Sequence, residues 1–266
     1  MTGDVLRIAR NDFLNVRRSR LLWGVVGAYG LFVALLVGSS ATSDITSATQ
    51  LLVGVTGVTA VVLPVVAIVA GYLAVAGERE SGTITVRLGL PDSRLAVLAG
   101  KLLSRSATVL LGLGVAFGVA LVLAVGMFGA VDPGVYARFV AVSTLFALTN
   151  AAVAVGLSAL AATRARAMTL AGGFYVGGNV LWLVAERYVV DAVRSLLGAF
   201  GVDLSDSGAA FVTAISPMEG YLSAVKLVFA PATAGAVAWF GIGSLVAWGV
   251  VVPTVGYWRF RTAELA

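Results

Sequence analysis

An all-α, polytopic membrane fold with six transmembrane helices is predicted by three observations. Apolar residues make up 59% of the 266 positions and charged residues only 12%, about half the share usual in a soluble domain. The mean hydropathy is +1.00, and the apolar runs match the roughly 20 residues needed to cross a hydrocarbon core about 30 Å thick. Lys and Arg lie beside those runs and form no separate basic domain. The pI near 9.9 therefore points to membrane topology and lipid contact, with no nucleic-acid partner.

The elements follow in chain order. Over residues 1–20, Val5, Leu6, Ile8, Ala9, Phe13 and Val16 project largely to one side of a helix and Arg7, Arg10, Asn11, Arg17 and Arg18 to the other. This is the pattern of an amphipathic helix lying at the interface, or of a basic leader that only sets orientation. Spans are expected at 21–38, 51–77, 105–128, 138–162, 168–185 and 233–257. The first lacks a small-residue cleavage site and is read as retained. Pro64 and Pro253 fall inside the second and sixth spans, where each is expected to set a static kink. Gly114 with Gly118, and Gly173 with Gly177, are spaced for close helix packing.

The stretch 186–232 is too patterned for a linker. Val189, Val193, Leu196, Leu197 and Phe200 recur at helical spacing, and Ser216-Pro217-Met218-Glu219 supplies an N-cap, a first-turn proline and an N3 glutamate. Two short outward-side helices are expected there, either as a mildly acidic solvated surface or as a cover over a substrate exit.

Orientation is read from charge. Arg7, Arg10, Arg17, Arg18, Arg20, Arg79, Arg87, Arg94, Lys101, Arg105, Arg164, Arg166, Arg259 and Arg261 fall on one side, and Arg138, Arg187, Arg194 and Lys226 on the other. Positive residues stay in the cytoplasm, so both termini are expected there, in a multi-pass protein of the cytoplasmic membrane.

Composition excludes much chemistry. With no Cys and no His, thiolate nucleophiles, imidazole bases and soft-metal ligands are missing, and no catalytic, cofactor or metal residue is assigned. No Gly-x-x-x-x-Gly-Lys-Ser/Thr loop is present, so the chain has no evident ATPase site of its own. Asn150 and Asn179, both within predicted spans, are either interhelical hydrogen-bond donors or pathway residues. No pair of intramembrane carboxylates suggests a proton-coupled carrier.

Between spans two and three lies a polar island: Glu78-Arg79-Glu80-Ser81-Gly82-Thr83, then Leu90-Pro91-Asp92-Ser93-Arg94, then Gly100-Lys101. The charges suit charge-assisted contacts, Gly82 permits a tight bend, and Asp92 or Ser93 suits the cap of the next helix. On these residues alone it is a partner-docking loop or a solvated loop with topogenic arginines.

The order and spacing of that island resemble ABC-2 type transporter permeases, in which an acidic and basic cluster, Ser-Gly-Thr, Leu-Pro-x-Ser-Arg and Gly-Lys follow one another. Asp92 departs from the apolar residue usual after the proline. Within the family the layout is most similar to permeases of nitrous-oxide reductase maturation. The resemblance implies one transmembrane domain over 1–266, with a cytoplasmic coupling loop at 78–101 and an outward-side helical region at 186–232. It further implies a homodimer, or a heterodimer with a related permease, carrying separate ABC ATPase subunits. Those subunits would bind the ATP and Mg, and the permease, with no catalysis of its own, would export a substrate. Glu78, Arg79, Glu80, Ser81, Gly82, Thr83, Pro91, Ser93 and Arg94 are the coupling residues it implies. An ATPase-independent carrier and a membrane scaffold subunit are the alternatives.

Overall fold

The computed structural model describes residues 2–16, 20–40, 45–83 and 93–263, and the described chain is helical with no strand. Pro91 and Asp92 lie outside the described residues. The elements are α1 (Thr2–Val16), α2 (Arg20–Ser40), α3 (Ala48–Gly71), α4 (Ala76–Glu80), α5 (Arg94–Phe128) and α6 (Pro133–Leu160). They continue with α7 (Arg164–Tyr175), a π-helical turn (Val176–Val180), α8 (Trp182–Gly198), α9 (Asp206–Thr213), α10 (Pro217–Ala224), α11 (Lys226–Phe229) and α12 (Gly235–Thr262).

Among the described residues, four helical stretches are long and apolar enough to cross a membrane: Ala48–Glu80, Arg94–Phe128, Pro133–Leu160 and Gly235–Thr262. A fifth is reached if Arg164–Val180 and Trp182–Gly198 form one broken span. Beside these stands α2, 21 residues long, or about 32 Å at 1.5 Å per residue.

The stretch expected as a fifth span over 168–185 is not one straight helix. Leu181 N–H donates to Val176 O, five residues back, at 2.6 Å. This wider turn interrupts the α-helical ladder, and α7 and α8 meet at 67°. The third stretch begins at Arg94, well before the expected 105, because Ser93 caps it by accepting from Ala96 N at 3.1 Å. Gly100 and Lys101 are therefore helical.

The core forms around α6, whose Phe139, Phe146, Ala147 and Ala151 are buried against Tyr29 and Val33 of α2 and Leu52, Val55 and Leu63 of α3. Pro64 and Pro253 both sit inside continuous helices. The packing expected at Gly114, Gly118, Gly173 and Gly177 does not occur within this chain: a Cβ on any of them would meet nothing within 4 Å. The spacing was right for a small-residue face, but that face points away from the bundle. Close approaches fall instead at Gly71, Gly100, Gly156, Gly220, Gly241 and Gly256.

Region 186–232 holds more than two short helices. The periodic run from Val189 lies in α8, and Ser216 caps α10 as its sequence predicts, accepting from Glu219 N. Yet α10 is no solvated surface helix: Met218, Tyr221 and Ala224 belong to the main core. Glu219 is partly buried with it, and desolvation, then the nearby Glu186 carboxylate, raises its pKa above the ordinary 4.5 despite the opposing pull of Lys226.

Candidate functional site

The N-terminal helix, the charged cluster at 78–80, the start of α5, the α6–α7 turn and the end of α12 meet at one end of the bundle. α1 is amphipathic as its projection predicts, with Ile8, Ala9 and Asp12 buried. Its Ile8 lies so near Gly100 of α5 that an added Cβ there would come within 2.7 Å of Ile8 Cγ2. Glycine is what allows the two helices to touch.

After α3 the backbone leaves the helix for one turn and re-enters at α4. Ser158 of α6 anchors this turn, its Oγ accepting from Val75 N at 3.0 Å and Ala76 N at 3.1 Å. The three charged residues of α4 then diverge. Glu78 Oε1 pairs with Lys101 Nζ at 2.8 Å. Arg79 donates to Ala161 O at 3.0 Å. Glu80 accepts from Arg164 N, the first residue of α7, where a carboxylate complements the positive end of the helix. These side chains fasten the segment to its own bundle.

The residues that follow are presented outward. Ser81 and Thr83 are exposed and share a hydrogen bond of 2.8 Å. Gly82 has φ +72, a left-handed turn that glycine adopts without strain. Ser93 is the α5 cap, and Arg94 is spent on the last helix: its Nη1 donates to Phe260 O, Arg261 O and Ala263 O at 2.7, 2.8 and 2.9 Å. Replacing Arg94 by Gln is expected to fray the end of α12 at a cost of about 1–3 kcal/mol, the usual loss for hydrogen bonds from a charged donor. Faster amide exchange over 257–263, with the rest of the bundle unchanged, would register it.

Behind α4 lies a group that sequence reasoning missed. Lys101 is 1% exposed and Asp12 4%, and Lys101 Nζ stands 3.4 Å from Asp12 Oδ1. Arg105 contacts both Asp12 oxygens at 3.2 Å and donates to Ala70 O at 2.9 Å. The signal that was available is the four-residue spacing of Lys101 and Arg105, which places both cations on one face of a helix.

The two asparagines separate. Asn150 donates to Phe146 O at 2.9 Å within its own helix, so this bond does not reach another helix. Asn179 is 1% exposed inside the π-helical turn, and its amide N and O find no hydrogen-bond partner among the described residues.

No cluster of three or more acidic residues able to hold a metal ion occurs among the described residues. Compared with known proteins, the chain is 26% identical over 179 residues to a probable ABC transporter permease protein, NosY, of Pseudomonas aeruginosa. That match takes in 64% of this chain and 65% of the relative, so less than two thirds of the relative's length is covered. The family description "ABC-2 family transporter protein" matches residues 6–265. With a match of that extent over an all-helical membrane architecture, the chain belongs to the ABC-2 family of transporter proteins.

Proposed function

We propose that the chain is the permease subunit of an ABC transporter, exporting a substrate across the cytoplasmic membrane with ATP hydrolysed, with Mg, by a separate ATPase subunit. The observation that carries this reading is the build of 78–83: three charged side chains lock it to other elements, while Ser81 and Thr83, either side of the Gly82 turn, are exposed. A rigidly fixed, outward-facing tip is what a soluble motor needs in order to push on a bundle. In this reading both termini and the tip are cytoplasmic, α2 and the bent α7–α8 pair complete six spans, and two such bundles pair as a homodimer or with a related permease. Closure of the ATPase pair tilts the bundles and alternates access.

Asn179 is the pathway residue in this scheme and Asn150 a packing residue. A buried amide without a partner costs about 1–3 kcal/mol, and π-helical turns concentrate at functional sites.

The test is copurification of the tagged chain with its co-expressed ATPase subunit. The unmodified chain is expected to hold the ATPase, and Thr83→Trp, a bulky group on the tip, to lower retention at least tenfold with membrane insertion intact. A stable, inserted chain that never holds an ATPase would instead favour an ATPase-independent carrier or a scaffold.

A further inference from the structure

We propose that Lys101 is a positioning residue, a buried ionic joint through which movement of the 78–83 segment reaches α1 and α5 together; this rests on the permease reading above. Four ionisable groups from three elements meet at it. Asp12 comes from α1, Glu78 from α4, and Lys101 and Arg105 from α5. Two carboxylates balance two cations, as burial requires.

A purely stabilising role leaves much of this unexplained. α1 is already seated on α5 by apolar contact, with Ile8 packed against Ala96, Val97 and Gly100. A buried ion pair adds little to such packing, and apolar residues of the same volume often serve as well. What the charges add is a direct link between α1 and the 75–80 segment, whose apolar clusters are separate. The segment at 75–80 is hydrogen-bonded to the α6–α7 turn through Ser158, Ala161 and Arg164, and its Val75 packs with Leu98 of α5 and Val155 of α6. Lys101 bridges the two bodies, reaching Glu78 on one and Asp12 on the other.

The choice of cation fits the task. Arg105 holds Asp12 by one hydrogen bond and one further ion-pair contact, both at 3.2 Å, and ties it to Ala70 O at the end of α3. Lys101 offers a compact ammonium with three donors, which reaches Glu78 and Asp12 at once. The pair of cations thus seats α1 firmly and ties the α4 side to it. Load applied at Ser81–Thr83 passes through Glu78 to Lys101, and from there to α5 and, through Asp12, to α1.

The chain has no cysteine, so two introduced cysteines are its only thiols and are labelled before the ATPase subunit is added. Arg10 of α1 and Arg166 of α7 are both exposed; spin labels at Arg10→Cys and Arg166→Cys report the separation of the two bodies. The sample is the chain with its ATPase subunit bound, measured without nucleotide and with a non-hydrolysable ATP analogue and Mg. In the otherwise unmodified chain the label distance is expected to stay the same in both conditions, because the joint moves the bodies as one.

The variant is Asp12→Asn with Lys101→Met, which removes one charge of each sign, leaves Glu78 opposite Arg105, and so avoids a lone buried charge. In it the nucleotide is expected to shift the distance by about 2 Å or more, the scale of helix displacements in switching transitions. A distance that stays fixed in the variant, or that already changes in the unmodified chain, overturns the joint while leaving the ATPase attached. Loss of the ATPase from the unmodified chain refutes the permease reading itself, and the joint with it.

Discussion

Replacing Gly156 by leucine is expected to abolish recovery of folded, monodisperse protein. α6 and α12 make their closest approach at this residue. A Cβ on Gly156 would lie 2.7 Å from Pro253 N, 2.8 Å from Pro253 Cα and 2.8 Å from Val252 C. All three are backbone atoms and cannot swing aside as a side chain does. The contact is reciprocal, since a Cβ on Gly256 would meet Gly156 O and, at 3.0 Å, Gly156 C and Cα. Relief requires the two helices to part. Overpacking a well-filled site costs about 1–3 kcal/mol and sometimes more, and leucine opposite backbone belongs at the top of that scale. Gly114→Leu is the control, because that position faces open space. Size-exclusion profiles and melting temperatures of the two variants in one detergent decide the point; equal behaviour would remove the argument.

The second large effect is expected at Tyr221, through which α10 is anchored in the core. Its side chain is fully buried and stacks on Phe146 at 4.4 Å with the rings 10° from parallel. Its hydroxyl and Ser143 Oγ are 2.9 Å apart. Neighbouring bonds hold the turn before α10: Ser216 Oγ donates to Gly178 O, and Ser244 Oγ and Trp248 Nε1 both donate to Ile215 O, each at 2.8 Å. Tyr221→Ala removes a ring from a filled site, for which about 3–5 kcal/mol is usual. Tyr221→Phe keeps the ring and removes one hydroxyl, for about 1 kcal/mol. The expected result is a large loss of thermal stability for alanine and a small one for phenylalanine, with amide exchange in alanine accelerated first over 206–229. Equal losses would place the anchor in the hydrogen bond and not in the ring.

Hydropathy and local capping carried most of what could be read in advance. The apolar runs located the long helices, Ser93, one of the two caps offered with Asp92, and Ser216-Pro217 lie at helix starts, and the projection of α1 put Ile8 and Ala9 on its buried side. The errors share one cause: they concern partners far apart in the chain. Lys101 counts as one more positive residue beside a span until Asp12 and Glu78 are seen around it. Glycine spacing identifies a small-residue face without saying what lies opposite, so Gly114 and Gly118 stand open while Gly156 and Gly256 touch. Likewise the 186–232 stretch is polar enough to suggest a surface, and only the packing of Tyr221 against Phe146 reveals that α10 is inserted. The charged residues of 78–80 were legible as a cluster, but their division among three anchors was not.

The ionic joint also has an order of assembly. Asp12 leaves the ribosome 89 residues before Lys101, which at 5–20 residues per second is an interval of about 5–20 s. Throughout that interval the first helix has its buried-side carboxylate without the cation it will later meet, and membrane insertion of α2 and α3 proceeds without that clasp. Ser158 and Arg164, which receive the 75–80 segment, are translated later still, and the carbonyls that engage Arg94 arrive with the end of α12. The end of the bundle begun earliest in sequence is therefore the last to be closed, and a chain stalled before α12 would leave Arg94 without the carbonyls it engages.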